Sequence, residues 1–449
     1  MFSIAPMVAL VVLLPMAATA APLTCAQVRN GACVVADTFS LEFDGMGNPL
    51  AVMNFGLFST SPTQGRFQAL CEESFGGRTP ENISVAGSKI LIPSRQGVFI
   101  NASEDLCNWN LAKGLPADGY VYQTVTDPLL QTRVWALVGT GGVRQLYVSE
   151  DQGASFVLRH QFVKDEVWWR LAVLASAPRK LYVSGPGLVG PFALAISNDD
   201  GQSFSNVDPV PDLADRARNS KLETVSDETP PRLYFSRDTP LGNDEVWVSQ
   251  DDGKNVTRSL ALPAGHFLGG FAFGATQNVL YVGSRSALTT GKSGDGALFK
   301  STDGGQSWAA PVLSSELGPR FRCLKIREGV LYACGGGVDS GDSSYVSQST
   351  DGILWTPIIT MRQLDAPPDC VRHRCPDSTA WLCSSYGVCP PASPDAGSVD
   401  SGTISSDASS GCSCEVGAKR GTASGWRFTA IFALNLGLLW RRKRRRLRA

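Results

Sequence analysis

The chain has 449 residues, 43% of them hydrophobic and 9% aromatic, which is ample for a packed core and excludes wholesale disorder. Its formal net charge of −1 conceals an imbalance: 30 basic and 40 acidic residues lie between Ala21 and Gly411, but 10 basic residues and one acid, Glu415, lie from Cys412 onward. A body with a net charge of −10 repels a phosphate backbone, so no nucleic-acid partner is expected. Three histidines disfavour a multi-histidine centre, and no metal or cofactor is expected.

Residues 1–20 are a short apolar run ending in Ala18-Thr19-Ala20, with polar sequence after it. This reads as a secretory signal peptide cleaved after Ala20, although its start has no Lys or Arg. Export implies an oxidising compartment, in which most of the 12 cysteines should pair. Cys25 and Cys33 bracket a loop in the segment 21–36.

From residue 37 to 364 the chain repeats itself. SEDQGASF begins at Ser149, SNDDGQSF at Ser197, SQDDGKNV at Ser249 and STDGGQSW at Ser301. Shorter copies begin at Ser103 (SEDLCNW) and Ser349 (STDGILW), and SPTQGRF at Ser61 has Thr63 where Asp belongs. The intervals are 42, 46, 48, 52, 52 and 48 residues. A β-branched and aromatic run precedes each of the last six copies (KILIPS, VWALVG, KLYVSG, RLYFSR, VLYVGS, VLYACG). A further run leads straight into the copy, as in QLYVS and EVWVS. This is the pattern of an all-β single propeller of about seven four-stranded blades, with each copy forming the turn between third and fourth strands. Asp should accept backbone N–H bonds in that turn, Gly should supply φ > 0, and the final aromatic should pack between blades. Asp105, Asp151, Asp199, Asp251, Asp303 and Asp351 recur once per blade, cannot converge on one point, and are therefore read as structural.

These copies resemble the Asp-box, or BNR, repeat of sialidases, sortilin-type receptors and related propellers. The resemblance spans about residues 37–364. A two-residue turn at Glu328-Gly329 would set Cys323 directly opposite Cys334 and permit a cross-strand disulfide. Cys71 and Cys107 remain, and a bond between them would tie blade one to blade two.

Residues 365–390 hold Cys370, Cys375, Cys383 and Cys389, whose three possible connectivities cannot be separated by spacing. Zinc is the alternative there, with His373 nearby, but the usual C-x2-C knuckle is missing. Residues 391–411 are a small, polar stalk expected to be disordered. Residues 412–449 begin with Cys412-Ser413-Cys414, directly after Gly411, and continue with about 13 apolar residues from Phe428 to Trp440 and the basic run 441–446. That run would stay in the cytoplasm, and the apolar stretch is short for a stable transmembrane helix. This tail resembles the myxobacterial C-terminal sorting signal. The resemblance implies transient membrane retention, processing by a sorting protease near Cys412–Cys414, and display at the cell surface.

The loops opposite the repeat turns are where ligand recognition is expected. His160, Trp168 and Trp169 beside Lys164, Asp165 and Glu166 form one candidate platform, and His266 in LPAGHFLGG is a lone candidate. One of the two tryptophans could instead open a strand and be core. GGGVDSGDSS near residue 340 lacks a clear calcium ligand count. No G-x-S-x-G, H-E-x-x-H or phosphate loop occurs, and no catalytic residue is assigned. A sialidase-like glycoside hydrolase would need three arginines converging on that face, from Arg170, Arg216, Arg237, Arg285 and Arg320. The expected function is non-catalytic binding of an extracellular protein or glycan. Glycoside hydrolysis and a purely structural surface role are the alternatives.

Overall fold

The computed structural model describes residues 27–29, 32–34, 38–53, 56–60, 66–75, 82–102, 106–163, 168–185, 192–207, 220–239, 242–286, 296–313, 321–335, 344–360 and 363–365. The signal peptide with Ala20, Cys25, Asp105, the four cysteines of 365–390, the stalk, and the tail with Cys412 and Cys414 lie outside the described residues. Among the described residues no helix is long and apolar enough to cross a membrane; the stretch 428–440 is not among them.

Seven four-stranded antiparallel sheets follow one another along the chain, at residues 38–71, 84–111, 120–161, 170–207, 220–261, 266–313 and 323–360. Each is a meander whose strands pair in sequence order. The first strands of successive sheets touch one another all the way round, and the seventh returns to the first. The molecule is a seven-bladed β-propeller with first strands at its axis. A short hairpin, Gln27–Arg29 with Ala32–Val34, precedes the ring.

The second strands explain why the sequence settles here. Val134–Thr140, Leu181–Gly185 and Leu233–Asp238 are buried along almost their whole length. A strand covered on both faces needs the continuous apolar run seen in VWALVG and LYVSG. The core is accordingly divided among the seams between blades. Leu174, Tyr182 and Leu194 of blade four meet Leu222 and Phe235 of blade five, and Leu41 and Phe58 of blade one meet Tyr345 and Ile359 of blade seven.

The repeated segment is the turn between third and fourth strands. Ser149 Oγ donates to Asp151 Oδ1 (2.7 Å) and accepts the Gly153 N–H (2.8 Å). Asp151 in turn accepts the Ser155 N–H (2.8 Å) and hydroxyl (2.6 Å). The same set recurs around Asp199, Asp251 and Asp303, with Asn255 replacing the last serine at Asp251. Two residues per turn have positive φ, for example Gln152 at 60° and Gly153 at 85°. Glycine is required at the second for another reason: a Cβ on Gly153 would lie 2.1 Å from Leu91 Cδ2, and one on Gly253 2.5 Å from Leu194 Cδ2. The turn of each blade is thus pressed onto the core of the blade before it. The residue ending the repeat lies in the same seam, as Phe67, Trp109, Phe156, Phe204, Val256, Trp308 and Trp355 show.

Closure uses two residues after the last blade. Leu364–Asp365 runs parallel to Phe67–Cys71, the outer strand of blade one, making that sheet five-stranded. Leu364 is fully buried, Arg66 Nη2 donates to its carbonyl (2.7 Å), and Arg66 Nε pairs with Asp365. Cys323 and Cys334 are directly opposite in register and disulfide-bonded, with 5.0 Å between Cα atoms. Cys71 and Cys107 are both in disulfides.

Candidate functional site

The face opposite the repeat turns is formed by loops joining second to third strands and each blade to the next. One group of ionisable side chains on this face lies at the seam of blades five and six. The hairpin between Leu233–Asp238 and Asp244–Ser249 puts Asp238 directly opposite Asp244. Like charges in that register repel, because the facing Cβ atoms are only about 5 Å apart. Asp244, Val246 and Val248 alternate toward blade six, as the packing of Val246 and Val248 there shows. From the facing blade the Leu268 N–H donates to Asp244 Oδ2 (2.7 Å). The carboxylate therefore points across the seam.

Only 7% of Asp244 is exposed. Burial, with the charge of Asp238 beside it, pushes its carboxyl up to about 6, against the pull of the Leu268 amide and Lys221. Ser236, next in the alternation, donates to Glu223 Oε1 (2.5 Å). Across the seam, His266 begins the first strand of blade six, with Nδ1 3.1 Å from Ser284 Oγ. His266, Leu268 and Ser284 share one face of that sheet, and Leu268 packs against blade five. The seam, called the notch below, thus sets two carboxyls on the side of blade five and an imidazole and a hydroxyl on the side of blade six. Such a notch can hold a proton, or accept hydrogen bonds from a cationic group.

The other expected residues lie elsewhere. Trp168 is 1% exposed and packs with Trp135, Phe162 and Leu181 in the seam of blades three and four, so its ring cannot stack on a ligand. Trp169 is 46% exposed, and the two do not form a paired platform. His160 is on the outer strand of blade three, where Nδ1 sits 3.1 Å from the carbonyl of Gln202 in the next repeat turn. It joins blades rather than facing the loops opposite. Arg237 lies over the Trp247 ring (5.1 Å) and Arg285 over Phe267 (5.5 Å), each on an aromatic of its own blade. Arg216 and Arg320 fall outside the described residues, as do Lys164, Asp165, Glu166 and residues 336–343. Among the described residues no group of three or more His, Cys, Asp or Glu is placed to hold a metal ion.

Asp238 and Asp244 were not singled out by sequence because they belong to no repeat. The available signal was their position on either side of the short turn Thr239–Asn243, in a chain whose flanking runs already read as paired strands.

No family model and no curated protein matches the chain. Solved structures do. A GH74 enzyme of Niastella koreensis aligns over 73% of this chain and 55% of its own, with 11% identity and a TM-score of 0.50. YCF48 of Cyanidioschyzon merolae aligns over 70% and 96%, with 11% identity and a TM-score of 0.44. A puromycin-hydrolysing peptidase of Mycobacterium tuberculosis aligns over 73% and 52%, with 14% identity and a TM-score of 0.45. The chain spans about half the length of the GH74 enzyme it matches. At such identities the likeness concerns the fold alone, and that fold is the seven-bladed β-propeller.

Proposed function

We propose that the chain is exported, displayed at the cell surface, and acts there as a non-catalytic binding propeller through the face opposite its repeat turns. In this reading the repeat turns are Asp-boxes, the first 20 residues are the export signal, and the basic tail is removed by a sorting protease. The observation that carries the proposal is the Asp238–Asp244 notch. It lies on the face where the loops vary in length, and its two carboxyls suit a cationic group on an extracellular protein or glycan. The net charge of −10 over residues 21–411 favours the same class of ligand, since the surrounding field attracts cations and repels anions.

One observation favours glycoside hydrolysis as a second reading. A buried carboxyl raised to about 6 suits a general acid, although its partner, about 5 to 9.5 Å away, would have to be a residue other than Asp238, which is hydrogen-bonded to Asp244 itself. Incubating the purified ectodomain with a panel of chromogenic aryl glycosides separates the two. The binding reading expects no turnover above the buffer rate. Turnover abolished by Asp244→Asn would overturn it in favour of the enzyme.

A further inference from the structure

The repeat-turn face contains a second, independent feature. A cavity of about 320 Å³ lies between blades four and five, and one of about 500 Å³ lies between blades five and six. Both volumes are in the range of small-molecule sites. The two share Glu228 and Thr229 in their walls and so form one interrupted groove.

The cavities are built from equivalent positions. Lys180 and Arg232 each immediately precede the second strand of their blade, and Pro178 and Pro230 each lie three residues before that strand, both after cis peptide bonds. Asn198 and Gln250 are both the second residue of their repeat, and Gln306 adds another amide to the larger cavity. Each blade therefore contributes a cation, an amide and a proline in the same arrangement.

The two cations in these walls are already paired. Lys180 Nζ reaches both oxygens of Asp252 (2.7 and 2.8 Å), and Tyr182 donates to the same carboxylate (2.5 Å). Arg232 Nε donates to Glu228 (2.7 Å), and Nη2 donates to Asn278 Oδ1 (2.7 Å). The groove thus offers fixed donors and acceptors, with both of its cations paired and with the exposed carboxylate of Asp227, which accepts the Ala175 N–H (3.4 Å), as a further acceptor. Amides, each both donor and acceptor, complement hydroxyl pairs, and the prolines supply apolar surface between them. The duplication suits a ligand that itself repeats.

We infer that this groove binds a neutral oligosaccharide, with one polar subsite at each of the two seams. The residues involved lie on the face opposite Asp238 and Asp244, so the site stands whether or not the notch binds anything.

The test uses the mature ectodomain and the di- and tetrasaccharides of the cello-, xylo-, malto- and manno-series, followed by ligand-observed NMR and calorimetry. At least one series should bind, with the tetrasaccharide about 10-fold or more tighter than the disaccharide, because linked subsites add. Gln250→Ala with Gln306→Ala should remove that gain without moving the melting temperature, since both side chains are exposed. Asp238→Asn with Asp244→Asn should leave saccharide binding unchanged. Four results would each overturn the inference: no binding of any series at about 5 mM, a weak-ligand ceiling; equal affinity for both lengths; indifference to the glutamine substitutions; or preferential binding of an uncharged Gly-Ser peptide of similar length.

Discussion

Single carboxyl groups in this protein are pushed in opposite directions by their surroundings. Asp199 is held at about 2 by the Ser203 hydroxyl and amide and the Ser197 hydroxyl, all of which donate to its ionised form. A lowered carboxyl stabilises the fold above its unfolded value, and that contribution is lost as pH falls from about 4 toward 2. Asp244 has the reverse sign. Its carboxyl, raised to about 6, stabilises the fold fully below the unfolded value of about 4, and the contribution disappears as pH rises through 6. Two units correspond to about 2 to 3 kcal/mol at most. Chemical denaturation between pH 4 and 7.5 should therefore show stability declining across pH 4–6. Asp244→Asn, which keeps an oxygen for the Leu268 N–H, should flatten that decline and leave the protein at pH 7.5 no less stable than wild type. A variant equally destabilised at pH 4 and 7.5 would show that Asp244 is an ordinary structural carboxylate.

At the level of the strand and turn, the repeat is a fastener as much as a turn. Its Ser and Asp organise the loop, its glycine lets the loop descend onto the preceding blade, and its final residue enters the seam. Because those demands are local and recur every 42–52 residues, the blades could be read from the sequence alone. The closing strand could not, since Leu364–Asp365 is two residues long and repeats nothing. Nor could the notch, which arises from hairpin register and from packing between two blades. Trp168 shows the same limit: beside charged residues the Trp168-Trp169 doublet reads either as a platform or as one core and one surface ring, and the seam that buries Trp168 decides for the second. The axial strands of blades six and seven add one constraint that no motif announces. A Cβ on Gly269 would lie 1.3 Å from the Phe321 carbonyl oxygen, whereas one on Gly329 would meet nothing within 4 Å. Gly269→Ala should cost about 3 kcal/mol or more, because backbone must move. Gly329→Ala, in an open turn at φ 78°, should cost about 1 kcal/mol. Urea midpoints of the two variants check the contrast; similar losses would mean that the blades are not so closely apposed there.

For the molecule as a whole, stability depends on a ring in which every seam is shared by two blades. Between its first and seventh blades the ring is joined by a packed seam and a short parallel strand pair, and Leu364 of that pair is fully buried in the seam with Phe58, Tyr345 and Ile359. Leu364→Ala should lower stability by about 3 kcal/mol, as for other buried leucines. Hydrogen exchange should locate the loosening in blades one and seven, and loss of protection spread evenly over the ring would argue against a local closure seam.

The proposed binding function rests at this scale on the Asp238–Asp244 pair at the seam of blades five and six. The most direct measurement is calorimetric titration of the mature ectodomain with a tetralysine peptide at pH 7.5 and low salt, for wild type and for Asp238→Asn with Asp244→Asn. The account predicts saturable binding with a Kd of about 10 to 100 µM, equivalent to roughly −7 to −5.5 kcal/mol, and its loss in the doubly substituted protein with the melting temperature maintained. No binding by wild type, or equal binding by both proteins, would contradict it.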